Sequence, residues 1–228
     1  MSQAQGVGPA PRPRPWHMYR SMVGVGLLCG LLIVTVFEVT RPVIARNKAE
    51  ALKRAIFQVL PGARTSTTFR LESDDHFASL AGEANGEQLV YAGYDAEHRL
   101  VGLAVEAQGM GYQDVIRLLY GYSSAHGAVV GIRVLESRET PGLGDRIETD
   151  ADFLKNFERL IVALKDDLSA IAHPIEFVKH GRKEHPWQVD GITGATISSA
   201  AISDILSRST SYWIPRIQQN LNDFRGAE

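Results

Sequence analysis

Cysteine is nearly absent from this 228-residue chain, where Cys29 stands alone. A single thiol excludes an internal disulfide, a cysteine-ligated iron–sulfur cluster and a cysteine-rich zinc site. Redox chemistry, if the chain performs any, must be carried by something else. An excess of one charge is missing too: 24 Lys and Arg against 26 Asp and Glu leave a formal net charge of -2. That balance gives no electrostatic footprint for nucleic acid. His173, His180 and His185 lack short ligand spacing and an accompanying carboxylate set, so no metal site is expected. Asp74-Asp75 and Asp166-Asp167 read as solvated surface charge. What is present is ordinary for a folded protein, 44% hydrophobic and 22% charged residues, with length for one sizeable domain plus extensions.

The N-terminal quarter departs from that ordinary pattern. Residues 1–18 are rich in Gly, Pro and Gln and alternate Pro and Arg from Pro11 to Pro15, so they are expected to be a disordered tail carrying positive charge near lipid. Residues 21–37 contain no charge, and with Tyr19 the run approaches bilayer length, giving an expected span over residues 19–38. An anchor, a signal peptide and a buried helix compete for this run. It is longer than a usual signal core and no clean A-x-A site follows it, which favours an uncleaved anchor. Lys and Arg flank both ends, and their count leans against export of the C-terminal domain. Beyond the span, Ile44, Leu52, Ile56, Val59 and Leu60 form a helical stripe that ends at Pro61-Gly62, a connector helix over residues 42–62.

Strand patterns then take over at residues 67–71, 88–94, 100–106, 115–120 and 129–135, separated by Gly, Asn, Asp and Ser turns. Residues 152–164 read as a helix with Phe153, Phe157, Leu160 and Ile161 on one side, and residues 175–178 as a returning strand. From Ile197 the spacing of Ile197, Ala201, Ile205 and of Ile202, Leu206 predicts a helix that Pro215 interrupts. Strands followed by helices give an α+β domain over residues 63–212, an antiparallel sheet flanked by helices, with a helical tail at 213–228.

Two segments carry chemistry. Asp190-Gly191-Ile192-Thr193-Gly194-Ala195-Thr196 places a hydroxyl behind two small residues and at the start of a helix, where free N–H groups and the positive end of the dipole favour a phosphate. Thr196 or Ser198 as a plain helix cap is the local alternative. Glu139-Thr140-Pro141-Gly142-Leu143-Gly144 is a tight turn after a strand, suited to presenting main-chain groups to a flat polar ring, or simply a loop. Gly109-Met110-Gly111-Tyr112 is a further candidate for close backbone approach and ring stacking.

In that order, the two segments resemble the FMN-binding domain shared by the G subunit of the Rnf electron-transport complex and the C subunit of the sodium-pumping NADH:quinone reductase. The seven residues from Asp190 resemble the motif Asp-x-x-[Ser/Thr]-Gly-Ala-[Ser/Thr], at which a flavin transferase joins FMN through its phosphate to the last hydroxyl, here Thr196. The resemblance implies covalent FMN, with Asp190, Thr193, Gly194 and Ala195 shaping the acceptor and Glu139, Thr140, Gly142, Leu143 and Gly144 cradling the flavin. It implies a single-pass inner-membrane protein whose FMN domain faces the extracytoplasmic side. Its partners would be a membrane flavoprotein and iron–sulfur subunits of a complex coupling ferredoxin and NAD electron transfer to ion transport. The flavin would carry the redox change, so no complete active site is expected on this chain. The quinone reductase's C subunit, a stand-alone FMN redox protein or regulator, and a non-redox membrane adaptor are the other readings.

Overall fold

The computed structural model describes residues 15–73, 75–80 and 89–225. It separates into two compact units divided between Glu50 and Ala51. Helix α1 (Pro15–Val59) supplies all the described residues of the first unit and runs on into the second. Its apolar part reaches a mean hydropathy of 2.4 with none of it buried, and in length and composition it is long enough to cross a membrane. The expected anchor and connector are one continuous helix that passes through Pro42. Proline removes one N–H there, which a helix this long tolerates where flanking bonds persist; Thr40 Oγ1 donates back to the Val36 carbonyl at 2.8 Å. Pro15 to Met18, expected in a disordered tail, already belong to α1, while residues 1–14 of that tail lie outside the described residues.

In the second unit, α1 ends where Leu60, Pro61 and Gly62 turn the chain, Gly62 at φ +102°. An antiparallel sheet comes next: β1 (Thr65–Leu71), β2 (Phe77–Leu80), β3 (Leu89–Tyr94), β4 (Leu100–Met110), β5 (Val115–Ser123), β6 (Ala128–Glu136) and β7 (Leu160–Ile161). Its order is β2-β1-β3-β4-β5-β6-β7. Both faces are covered. Every residue of β3 is buried, and β5 sends Ile116, Leu118, Tyr120 and Tyr122 into one apolar cluster and Leu119 into the other.

The smaller cluster is sealed by the end of α1, where Ala55, Ile56, Val59 and Leu60 are buried. Four consecutive strands meet it with glycine. A Cβ on Gly93 would lie 2.7 Å from Leu60 Cδ1, on Gly102 2.9 Å from Leu60 Cδ2 and on Gly131 3.2 Å from Val59 Cα; on Gly121 it would collide with the Val59 carbonyl oxygen. The helix end therefore packs on bare backbone, closer than any side chain would allow.

The larger cluster lies under α3 (Thr196–Gln219), which contributes Ile202, Ile205, Leu206, Trp213, Ile214 and Ile217. Pro215 does not interrupt this helix, contrary to the sequence expectation. The apolar stripe continues through Trp213, Ile214 and Ile217, and burial of these three side chains, about 1.5–3 kcal/mol each, outweighs the roughly 3 kcal/mol that a proline costs inside a helix. The expected tail is therefore core: Phe224, in the short 3-10 turn Leu221–Phe224, is buried against Phe69 and Phe77, and its carbonyl accepts from Tyr94 Oη at 2.7 Å.

The helix expected over residues 152–164 is also corrected. Helix α2 spans only Ala151–Lys155. Asn156 then turns its amide back onto the Phe153 carbonyl, and Leu160 and Ile161 pair with Val129 and Ala128 of β6. Phe153, Phe157 and Leu160 are buried as the spacing implied, but sheet pairing claims the β-branched end of the segment. A short parallel pair, β8 (Glu176–Val178) and β9 (Gln188–Asp190), leads directly into the turn before α3. The fold is α+β, with an antiparallel sheet flanked by helices.

Candidate functional site

The sheet brings three sequence-distant segments to one place. The turn between β4 and β5, the segment after β6 and the first turn of α3 meet at Glu139, which is 5% exposed. Its Oε1 accepts from the backbone N–H groups of Tyr112 (2.8 Å) and Gln113 (3.1 Å), and its Oε2 accepts from Ser198 Oγ at 2.6 Å. A buried carboxylate satisfied by three neutral donors thus ties the three segments together. Two glycines make room for it. A Cβ on Gly111 would collide with Glu139 Oε1, and one on Gly144 would lie 2.6 Å from Glu139 Oε2 and 2.8 Å from Ser198 Oγ.

The rest of the segment turns outward. Leu143 N donates to the Thr140 carbonyl at 3.2 Å, with Pro141 and Gly142 (φ +76°) at the centre, the residues and the backbone sign a type II turn requires. Leu143 is thereby left more than half exposed, as are Met110, Tyr112 and Ile197 on the adjoining segments. These exposed apolar side chains stand on the segments that Glu139 joins.

The turn from Asp190 to Thr196 leads into the same helix start. Asp190 is held through its backbone by the buried Asn156: Asn156 Nδ2 donates to the Asp190 carbonyl (3.1 Å) and Asn156 Oδ1 accepts from Asp190 N (3.0 Å). The Asp190 carboxylate accepts from Gly181 N at 2.7 Å and faces His180 Nδ1 at 3.6 Å, so it also fixes the connection between β8 and β9. Ile192 N donates to Ser199 Oγ (3.1 Å), which itself donates to the Ala195 carbonyl (2.8 Å). Arg146 Nη1 donates to the Thr193 carbonyl at 3.1 Å, while Nη2 pairs with Asp150 Oδ2 at 2.5 Å. The Asp150 carboxyl is held below its ordinary range, first by the Phe153 N–H and then by Arg146. Its contribution is therefore present at neutral pH and lost only as the solution becomes more acidic than that range, about pH 4.

Gly194 (φ +88°) and the buried Ala195 then deliver Thr196, exposed, as the first residue of the 24-residue α3. The N-cap residue, Ala195, makes no side-chain capping bond. A hydroxyl at such a position has main-chain N–H groups and the positive dipole end next to it, the environment a phosphate monoanion needs. A cleft of about 200 Å³ beside the turn is lined by Arg146, Asp150, His180, Asp190 and Thr193.

Of the sequence-predicted residues, Glu139 and Gly144 lie buried in the link, Thr140, Gly142 and Leu143 form the outward turn, and Asp190 to Thr196 form the neighbouring loop. Gly109 to Tyr112 join the same patch. Sequence reasoning read Ser198 only as an alternative helix cap and missed Ser199, Arg146, Asp150 and Asn156. The serine pair carried little signal of its own, because Ser203 and Thr210 are also buried polar residues on the same helix. Nothing near Arg146 or Asn156 in the chain points to residues 190–193. His173 and His185 stack on Trp187, with ring centroids 4.1 and 4.4 Å away.

Residues 111–210, which contain all of these segments but Gly109 and Met110, match the family described as the FMN-binding domain. The chain is 33% identical over 193 residues to the G subunit of the ion-translocating oxidoreductase complex of Methanosarcina acetivorans, covering 84% of this chain and 90% of that one. It is 30% identical over 174 residues to the same subunit of Pectobacterium atrosepticum, covering 76% and 78%. Among solved structures it is similar to Shewanella oneidensis NqrC, with a TM-score of 0.58 and 18% identity over 80% of this chain and all of that one. It is also similar to the C subunit of the Na(+)-translocating NADH-quinone reductase of Parabacteroides distasonis, with a TM-score of 0.56 and 17% identity over 81% and 96%. At those identities the structural likeness is one of fold. With a relative one-third identical over nearly its whole length, the chain belongs to the family of G subunits of ion-translocating oxidoreductase complexes, built on an FMN-binding domain.

Proposed function

We propose that this chain is the membrane-anchored flavin subunit of an ion-translocating oxidoreductase complex and carries FMN as a phosphoester on Thr196. The observation that carries the reading is the exposed Thr196 at a helix start whose N-cap, Ala195, makes no side-chain bond, two residues before the Ser198 that bonds Glu139. The residues present suit FMN. Main-chain N–H groups at the start of α3 would meet the phosphate, and Leu143, Tyr112 and the backbone of the Thr140 to Gly144 turn would meet the ring and ribityl chain. When bound, FMN supplies one- and two-electron chemistry that no side chain here provides.

Attachment needs an activated phosphate. The donor by chemistry is a flavin dinucleotide: the Thr196 Oγ–P bond forms as the pyrophosphate P–O bond breaks, nucleoside monophosphate leaves and the threonine proton passes to a base of the transferase. A covalent tether prevents loss of the cofactor from a domain on the extracytoplasmic side of the membrane, with α1 as the anchor. The electrons pass within a complex that links ferredoxin and NAD, in company with iron–sulfur and membrane flavoprotein subunits.

Purifying the membrane complex through a tag on this chain tests the proposal. Flavin fluorescence should stay with the chain on a denaturing gel, and that flavin should be reduced and reoxidised during turnover. A chain free of flavin, or a flavin that does not change during turnover, would overturn it.

A further inference from the structure

The acceptor turn is held by side chains outside its own motif. Asn156 fixes both backbone groups of Asp190, and Ser199 fixes Ile192 N and the Ala195 carbonyl. Between these points lie Thr193 and Gly194, immediately before the acceptor. Gly194 has open space around it and a positive φ, so this peptide has room to reorient. The Thr193 carbonyl is bonded by Arg146, 47 residues earlier in the chain, and the guanidinium is held at its other end by Asp150.

We propose that Arg146, oriented by Asp150, is a positioning residue for flavin attachment: by fixing the Thr193 carbonyl it presents the Thr196 hydroxyl to the transferase in one orientation. The inference rests on the reading of Thr196 as the acceptor. Oγ must approach phosphorus in line with the departing pyrophosphate oxygen, and misplacement of a reacting atom by about 1 Å costs up to about 100-fold in rate. The planar fork of arginine reaches both partners at once, which a lysine ammonium does not. A transferase that read the seven residues as an extended peptide would be indifferent to Arg146, so the proposal also states that the folded turn is the substrate.

The test uses the full chain in detergent micelles with transferase and a flavin dinucleotide, and follows covalent flavin by in-gel fluorescence. Arg146→Met should slow labelling about 10- to 100-fold at saturating acceptor, with the half-saturating concentration and the melting temperature close to wild type. Arg146→Lys should restore part of the rate. Asp150→Asn, which keeps an acceptor for Phe153 N but not the charge facing Arg146, should fall between wild type and Arg146→Met. Once attached, the flavin of Arg146→Met should have the wild-type absorbance, because the clasp acts on the acceptor backbone.

A folded Arg146→Met labelled at the wild-type rate would overturn the proposal. So would a loss confined to the half-saturating concentration, which would make Arg146 a contact of the transferase instead. If Arg146→Met does not fold, Asp150→Asn is judged by the same two criteria. Wild-type protein that takes no flavin, or Thr196→Ala labelled as fast as wild type, would overturn the acceptor reading and this inference together.

Discussion

The two halves of the site are held together in opposite ways. Around Glu139 the hold is internal: one buried carboxylate, three neutral donors and two glycines with no room for a Cβ. Around Thr196 the hold comes from the side, through Arg146 and Asn156, and the acceptor itself stays exposed. On the proposed reading, a surface that meets the flavin ring gains from rigidity and loses nothing by being sealed beneath. On the same reading, a hydroxyl that a transferase modifies has to remain reachable, so its support lies behind it. The difference predicts that damage to the first half registers as lost stability and altered flavin environment, and damage to the second as slower attachment to an intact fold.

The largest contrast should come from Thr196→Ala. It removes the acceptor oxygen at an exposed position, so covalent flavin on a denaturing gel should vanish while stability changes by no more than about 0.5 kcal/mol in denaturant melts. Flavin surviving the gel in this variant would break the comparison at its root.

Glu139→Ala is the counterpart on the other side. It leaves the N–H groups of Tyr112 and Gln113 and the Ser198 hydroxyl without their acceptor, and should cost about 3 kcal/mol in chemical denaturation. Glu139→Gln keeps the shape and one acceptor oxygen, so about 1 kcal/mol is expected. Equal costs for the two would mean that the link acts through packing and not through its hydrogen bonds.

The glycines sharpen the same distinction. Gly144→Ala drives a methyl into Glu139 and Ser198 and should destabilise by about 1–3 kcal/mol and shift the flavin absorbance. Gly142→Ala meets no neighbour and bears only the left-handed backbone cost, about 1 kcal/mol. Thermal melts and spectra of the two flavinylated variants separate steric from conformational cost. An identical response would show that Gly144 matters for its backbone alone.

Thr193→Ala should have the smallest effect. Arg146 bonds the Thr193 carbonyl and not its side chain, so labelling should proceed close to the wild-type rate, with stability within about 0.5 kcal/mol. A large loss of labelling rate would assign the Thr193 hydroxyl a part in transfer that its main-chain bond does not explain.

The turns of the candidate site were legible because their geometry is local. Pro141, Gly142 and Gly144 announce a turn, and Gly194, Ala195 and Thr196 announce a small, hydroxyl-tipped helix start, from neighbouring residues alone. The central strands were legible through their β-branched and aromatic runs. What escaped depends on contacts across the chain. Leu160 and Ile161 sit in a spacing that fits a helix until β6 offers them a sheet edge. Pro215 reads as a stop until the core claims Trp213 and Ile217. Arg146 and Asn156 serve residues 47 and 34 positions away, and no local pattern marks a side chain whose partner is a distant backbone carbonyl or N–H.

Intact-mass analysis of the full chain produced with a flavin transferase, followed by peptide mapping of the adduct, tests the central claim most directly. The account predicts a gain of one FMN less one water, located on Thr196. An unmodified mass under conditions where the transferase labels a known acceptor, or an adduct mapped to any other residue, would contradict it.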